Sequence, residues 1–339
     1  MLSRNADALL WMSRYMERTE NIARILDVNL QMVLDCRRLD DRQLERHWEP
    51  LVLSLGEEEL FFSLYDKPDS VTVPEFLTFD ERNPNSILSC VRAARENARG
   101  IRDQISSEMW EEVNRLYLFL HTPTARSVWQ NTPTDFYKEI KQSSYLFQGL
   151  TNATLVHDEG RDFSQVGRFM ERADKTSRLL DVKYHLLLPE GNEVGGAVDS
   201  IQWAAVLRCC SAFEAYQRHY RFDVKPWQVA EFLIFAPHFP RSIRFCLRVL
   251  DSSLRGISGS RPGQFANEAE KRSGRLLAEI NYSSIDDIYA IGLHEYLDRL
   301  QLQLNEIGQH FLSVYNAVPP GKLEEEISIQ IDQQLQMQQ

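Results

Sequence analysis

Arg14, Glu17 and Arg18 stand at positions i, i+3 and i+4 of the phrase RYMERTENIARILDV, residues 14–28. Arg168, Glu171 and Arg172 stand at the same positions of RFMERADKTSRLLDV, residues 168–182. On a helix turning about 100° per residue, each trio shares one face. Two guanidinium forks to one carboxylate leave positive charge over, and a planar fork is suited to gripping a carboxylate or phosphate with two parallel hydrogen bonds. Glu17 and Glu171 then orient the arginines or, with a raised pKa, serve as acid or base. A third alternative stands beside these two: an ion network between packed helices, which a repeated fold carries twice over.

The neighbours of each trio argue for burial. Arg14, Glu17, Arg18 and Asn21 share their face with Leu10, Trp11, Ile25 and Val28, and the second copy sets Arg168, Glu171, Arg172 and Lys175 beside Leu179 and Val182. Charges among so many large apolar groups must be paired or hydrogen-bonded. Arg14 has Glu17 within one turn, and Arg18 has the other copy's carboxylate across a helix pair. If the halves are related by an approximate two-fold axis, the two helices face each other and pool Arg14, Arg18, Arg168 and Arg172 around one central site. On the rest of the first helix, Met12, Tyr15, Met16, Ile22, Ala23, Leu26 and Leu30 form a core stripe. Ser13, Glu20, Arg24 and Asp27 form a narrow edge expected to be solvated.

The phrases match at eight of fifteen positions at an offset of 154, and VPEFLTFDERNPNSI (73–87) matches VAEFLIFAPHFPRSI (229–243) at eight of fifteen at an offset of 156. Cys90 over Cys246 and Arg92 over Arg248 extend the second match. Two echoes in one order point to internal duplication. The expected fold is all-α, a multi-helix bundle of two internally duplicated halves, 1–155 and 156–320, fused into one globular unit with a flexible tail at 321–339. The expected helices include one from about Asn5 to Asp35 and one from about Leu44 to Ser63. Ser86 or Asn85, and Ser106 or Ser107, are helix starts. Further helices are expected over 136–157, through the repeated phrase after a hinge at 158–162, and over 265–279 and 285–315. The linker is PEGNEVGGAVDS, 189–200.

Composition agrees with a helical fold: 43% hydrophobic, 26% charged, and only 15 Gly and 13 Pro in 339 residues. A net charge of -11 disfavours nucleic acid and anionic membrane as main partners, since phosphate surfaces require a basic face, and leaves room for local basic patches. Five cysteines without metal-ligand spacing fit a reducing cytoplasm. No stretch is long and apolar enough for a membrane span, and no signal-peptide pattern opens the chain. No metal or cofactor is expected. Asp181 and His185, spaced i, i+4, lack a third ligand. Arg92, Arg95, Arg99 and Arg102 form a charged helix face from which Arg92 and Arg99 could extend a basic pocket. Cys90 and Cys246 read as buried packing thiols.

LLWMSRYMERTENIARILDV with its Glu17-Arg18 pair, the second Glu171-Arg172 pair, RENARGIRDQISSEMWEEVN, RLLDVKYHLLLP and FPRSIRFCL together resemble the bacterial alpha-E family, over about residues 1–315. The resemblance implies a wholly helical fold and an association with circularly permuted ATP-grasp-like ligases and transglutaminase-like peptidases. It names Glu17, Arg18, Glu171 and Arg172 as the motif without assigning chemistry to them. The leading expectation is a helical partner or substrate-binding component of an ATP-grasp-associated amide- or peptide-bond-forming system, binding an anionic small molecule or peptide at the Glu-Arg helices. Its rivals are an acyl or amide-bond transferase using Glu17 or Glu171, and a purely structural scaffold.

Overall fold

Ser3–Asp35 forms a single helix, α1, because its 33 residues contain neither Gly nor Pro and carry apolar side chains on more than one face. A helix apolar on several faces needs neighbours on several faces. In the computed structural model, which describes residues 1–35, 48–186, 197–221, 223–261 and 263–315, α1 has them.

The remaining helices are α2 (Glu49–Leu55), α3 (Glu58–Leu64), α4 (Thr72–Thr78), α5 (Ile87–Gly100), α6 (Ser107–Leu120), α7 (Pro123–Asn131) and α8 (Pro133–Thr154) in the first half. The second half has α9 (Glu159–Leu186), α10 (Ala197–Cys209), α11 (Phe213–Tyr220), α12 (Pro226–Phe235), α13 (Ile243–Ser258), α14 (Glu268–Tyr282), α15 (Ile285–Ile291) and α16 (Leu293–Tyr315). No strand occurs among the described residues, so the chain is all-α. None of the helices described is long and apolar enough to cross a membrane.

α1 and α9, the helices of the repeated phrase, pack against each other at the centre. Ser13 lies opposite Ser164, Glu17 opposite Arg172 and Arg18 opposite Glu171, so the two run parallel. α5, α8 and α10 cover α1, while α13, α16 and α2 cover α9. The helices following each central helix cross over to the other one: α2 lies on α9, and α10 lies on α1.

Local signals place the flanking helices. Ser86 and Ser242 accept hydrogen bonds from Ser89 N and Phe245 N and so cap α5 and α13 at corresponding points of the second repeated phrase. Ser106 caps α6 in the same way. The helix expected over 44–63 begins outside the described residues and is broken within them, because Gly56 closes α2 at φ 72. Gly292, at φ 109, likewise divides the helix expected over 285–315 into α15 and α16. The hinge expected at 158–162 is shorter, since α9 begins at Glu159. Most of the linker at 189–200 and the tail at 321–339 lie outside the described residues.

The edge of α1 expected to be solvated is buried. Ser13, Glu20, Arg24 and Asp27 are each 5% exposed or less. The reason is that α8 and α10 close over this edge and bring polar partners. Lys141 Nζ stands 2.5 Å from Asp27 Oδ2, Arg24 Nη2 donates to the Tyr145 hydroxyl at 2.7 Å, and Arg24 also donates to Ser211. The core stripe lies as expected: Met12, Met16, Ile22, Ala23 and Leu26 are buried, with Tyr15 and Leu30 partly so.

The close approach of α1 and α9 depends on Gly167, where a Cβ would overlap the Leu10 carbonyl oxygen. Gly167→Ala is expected to cost about 1–3 kcal/mol through overpacking. Gly149→Ala, at an exposed position of α8 with open space around it, is expected to gain up to about 1 kcal/mol. Denaturant midpoints of the two variants check the contrast.

Candidate functional site

Parallel packing sets each Glu-Arg pair against the other, and the pairs exchange partners. Arg172 grips Glu17 with both ends of its fork, Nε to Oε1 and Nη2 to Oε2 at 2.7 Å each. Arg18 grips Glu171 in the same way, Nε to Oε1 at 2.7 Å and Nη2 to Oε2 at 2.9 Å. Both carboxylates are 1% exposed.

Each carboxylate has further partners. Glu171 takes Arg14, whose Nη2 stands 3.1 Å from Oε2, so Arg14 reaches across the pair and not to Glu17 on its own helix. Glu17 takes Arg241 Nη1 at 3.0 Å and Gln148 Nε2 at 3.0 Å, while Arg168 Nε stands off at 3.8 Å. Beyond the first pair of forks, Arg18 Nη1 donates to Asn85 Oδ1, and Asn85 Nδ2 in turn to Glu57. On the other side Arg172 Nη1 donates to the Pro240 carbonyl.

The expected single pool of four arginines is not what forms. Arg14 and Arg18 serve Glu171, where the segment before α5 closes the cluster; Arg168 and Arg172 serve Glu17, where α8 and the segment before α13 close it. The physical reason is the crossed pairing itself, since each bidentate fork commits its guanidinium to the opposite helix.

Sequence reasoning missed Arg241, Glu57 and Gln148. Arg241 is the most informative of these, because the repeat itself marks it. The phrase 229–243 puts Arg241 where 73–87 has Asn85, and the central helices put Lys175 where Asn21 stands. Around Glu171 the additional cation comes from the central helix, as Lys175, and the amide from the loop, as Asn85. Around Glu17 the loop supplies the cation, Arg241, and the helix supplies the amide, Asn21, which accepts from Arg241 Nη1 at 3.2 Å. The departure at Lys175 is thus compensated across the contact.

Electrostatics follows the pairing. Burial alone would raise Glu17, but Arg172 and Arg241 overcome it and hold the carboxyl at about 2. Burial opposes Glu171 too, and Arg18 with Arg14 holds it below the ordinary carboxylate range. The raised pKa that acid or base work at these residues requires is therefore absent at both positions. Burial raises Glu57 and lowers its neighbour Lys175, and it pushes the Cys90 and Cys246 thiols up to about 12, as befits packing thiols.

The expected surplus of positive charge is present on the Glu17 side, where Arg24, Arg168, Arg172 and Arg241 outnumber Glu17 and Glu20. Arg168 carries it. Its Nη2 donates to Gln148 Oε1 at 2.6 Å, its Nε is buried without a hydrogen-bond partner, and burial lowers its pKa to about 9. A cavity of about 10 Å³ beside it, bordered by Ser13, Glu17, Gln148, Ser164 and Gln165, admits a water-sized occupant.

The weaker candidates stay apart from these clusters. Arg92 pairs with Glu81 at 2.7 Å and Arg99 with Glu96 at 2.5 Å on the surface of α5, and neither extends a pocket at the Glu-Arg pairs. Arg95 stacks on Trp110 and Tyr117, and Arg102 on Trp110. Asp181 Oδ1 lies 2.7 Å from His294 Nδ1, the His185 side chain lies outside the described residues, and no three potential metal ligands cluster among those described.

Glu171→Gln leaves Arg14 and Arg18 without their buried counter-ion and is expected to cost about 3–5 kcal/mol. Folding lowers the Glu17 pKa from its ordinary 4.5 to about 2. Its contribution is therefore complete above pH 4.5 and is lost as the pH falls through about 2. Denaturation across the acid range is expected to show a slope that Glu17→Gln flattens.

Uncharacterized proteins of Mycobacterium tuberculosis and Mycobacterium bovis are similar to this chain, 24% identical over an alignment covering 92% of it and 37% of each relative. The chain thus spans little more than a third of the length of the curated relatives it matches. No solved structure matches it. Residues 1–315 match the model of the Alpha-E family, described as a predicted alpha-helical domain with a conserved ER motif, and the chain, whose two Glu-Arg pairs lock its central helices, belongs to that family.

Proposed function

We propose that the chain is a non-catalytic helical component of a bacterial amide- or peptide-bond-forming system, working beside an ATP-grasp-like ligase and a transglutaminase-like protein in the cytoplasm. The observation that carries the non-catalytic part is the state of the two motif carboxylates. Glu17 and Glu171 are buried, ionised and held by bidentate arginines, so neither has basicity or an open face for a transferase step. The ligase association rests on the family resemblance. The free, buried thiols of Cys90, Cys210 and Cys246 support a reducing compartment.

An anionic group of the substrate or of a partner segment is read at the Glu-Arg helices through Arg168. This cation is anchored by Gln148 and keeps 17% of its side chain open to solvent. Hydrogen bonds to charged groups contribute about 1.5–3 kcal/mol each, enough for one arginine to decide affinity.

Purified chain, an ATP-grasp-like ligase, ATP and amino acids are to be assayed together and singly for peptide product. Product is expected only when ligase and chain are both present, and turnover by the chain alone overturns the proposal. Arg168→Gln is expected to raise the substrate concentration required by roughly tenfold at an unchanged melting temperature. Unaltered kinetics remove the anion from this position.

A further inference from the structure

A second cationic feature lies away from the Glu-Arg helices. Between α13 and α14 the surface opens into a cavity of about 100 Å³ lined by Pro237, Arg244, Arg248, Leu277 and Asn281. Arg244 and Arg248 project one helical turn apart, an arrangement in which like charges repel. Arg244 is fixed by its Nε donating to Asn281 Oδ1 at 2.8 Å, and the Arg248 guanidinium lies over the Phe245 ring, 4.9 Å from its centroid. Neither makes an ion pair among the described residues. Several other arginines of this region do: Arg255 with Asp251, Arg272 with Glu268 and Glu306, and Arg299 with Glu279.

The corresponding place in the first half sharpens the point. There Arg92, in register with Arg248, is neutralised by Glu81 at 2.7 Å. The same register puts Pro237 where Glu81 stands and Arg244 where Leu88 stands. Residues 229–248 therefore have no acid where 73–92 have Glu81 and a second cation where they have Leu88, and both arginines line the cavity.

We propose that this cavity binds the carboxylate of a monoanion with a small apolar body, either a free acylated amino acid or the C-terminus of a polypeptide. The two guanidinium groups relieve their repulsion on one carboxylate, the ligand for which their planar forks are shaped. Pro237 and Leu277 offer the hydrocarbon wall, and the volume is that of a small hydrocarbon group, an apolar cavity of about 150 Å³ being enough for benzene. A phosphate, doubly charged and polar all round, would leave that wall unused. The site is separate from the ligase reading, and a binary binding measurement tests it alone.

The whole chain, isotope-labelled, is to be titrated with N-acetyl-leucine, with N-acetyl-leucine amide, with a short peptide ending in a free leucine carboxylate, and with inorganic phosphate. Saturable shifts of α13 amides and arginine side-chain signals are expected with the two carboxylates and not with the amide. Arg248→Gln, and Pro237→Glu, which restores the acid of the first half, are each expected to weaken binding about tenfold at unchanged melting temperature. Tighter binding of the peptide assigns the site to a chain terminus, and equal affinity assigns it to the free amino acid. The proposal is overturned by an amide that binds as well as the acid, by phosphate that competes equally, by no saturable shift at millimolar ligand, or by variants that bind as the parent does.

Discussion

The crossed pairing of Glu17 with Arg172 and of Glu171 with Arg18 is the constraint on which the rest of the structure depends. A buried carboxylate is costly, and the attraction of an arginine offsets that cost only in good geometry with every remaining group satisfied. The bidentate geometry at both carboxylates forms with α1 and α9 parallel in this register. A slip of one turn would put each carboxylate opposite a residue that is not its arginine and strand two forks in the core. Apolar packing of two such helices tolerates several registers, whereas paired charges tolerate one. The surrounding helices then have fixed places, because the segments before α5 and α13 must deliver Asn85, Pro240 and Arg241 to the forks and to Glu17.

The two clusters are alike without being equal. Lys175 and Asn85 on one side answer Asn21 and Arg241 on the other, so each carboxylate keeps an added cation while its source moves from helix to loop. The Glu171 side also holds Glu57, which brings its charge nearer to balance. The Glu17 side has a second acid too, Glu20, but it is shared by Arg24 and Arg241, and Arg168 Nε is left without a hydrogen-bond partner. Any anion drawn to these helices would meet its favourable field on that side.

Much of this was legible in the sequence. The all-α class follows from helix-forming composition, and the caps at Ser86, Ser106 and Ser242 follow from short polar residues ahead of apolar periodicity. The burial of the Glu-Arg face was readable from Leu10, Ile25 and Val28 beside it. Two things were not. Helical periodicity shows which residues share a face and says nothing of what covers it, so the edge at Ser13, Glu20, Arg24 and Asp27 looked solvated although Tyr145, Lys141 and Ser211 wait across it. Nor does a repeat reveal whether equivalent arginines converge or cross. That depends on parallel packing, and the close approach that permits it hangs on Gly167 against the backbone at Leu10.

Comparison of corresponding positions separates two kinds of difference. Inside the Glu-Arg clusters a change on one side of a contact is met by a complementary change on the other, as with Asn21 and Lys175 against Arg241 and Asn85, because removing one partner of a buried pair costs about 3–5 kcal/mol. At the surface between α13 and α14 the differences run in one direction. Pro237 in place of an acid and Arg244 in place of Leu88 both add positive character, and among the described residues no acid pairs with Arg244 or Arg248. Uncompensated charge at a surface cavity carries little stability cost and little stability benefit, so packing gives no account of it. An anionic ligand gives one, and the same reasoning separates Arg244 and Arg248 from the arginines at the centre, whose partners the fold already supplies.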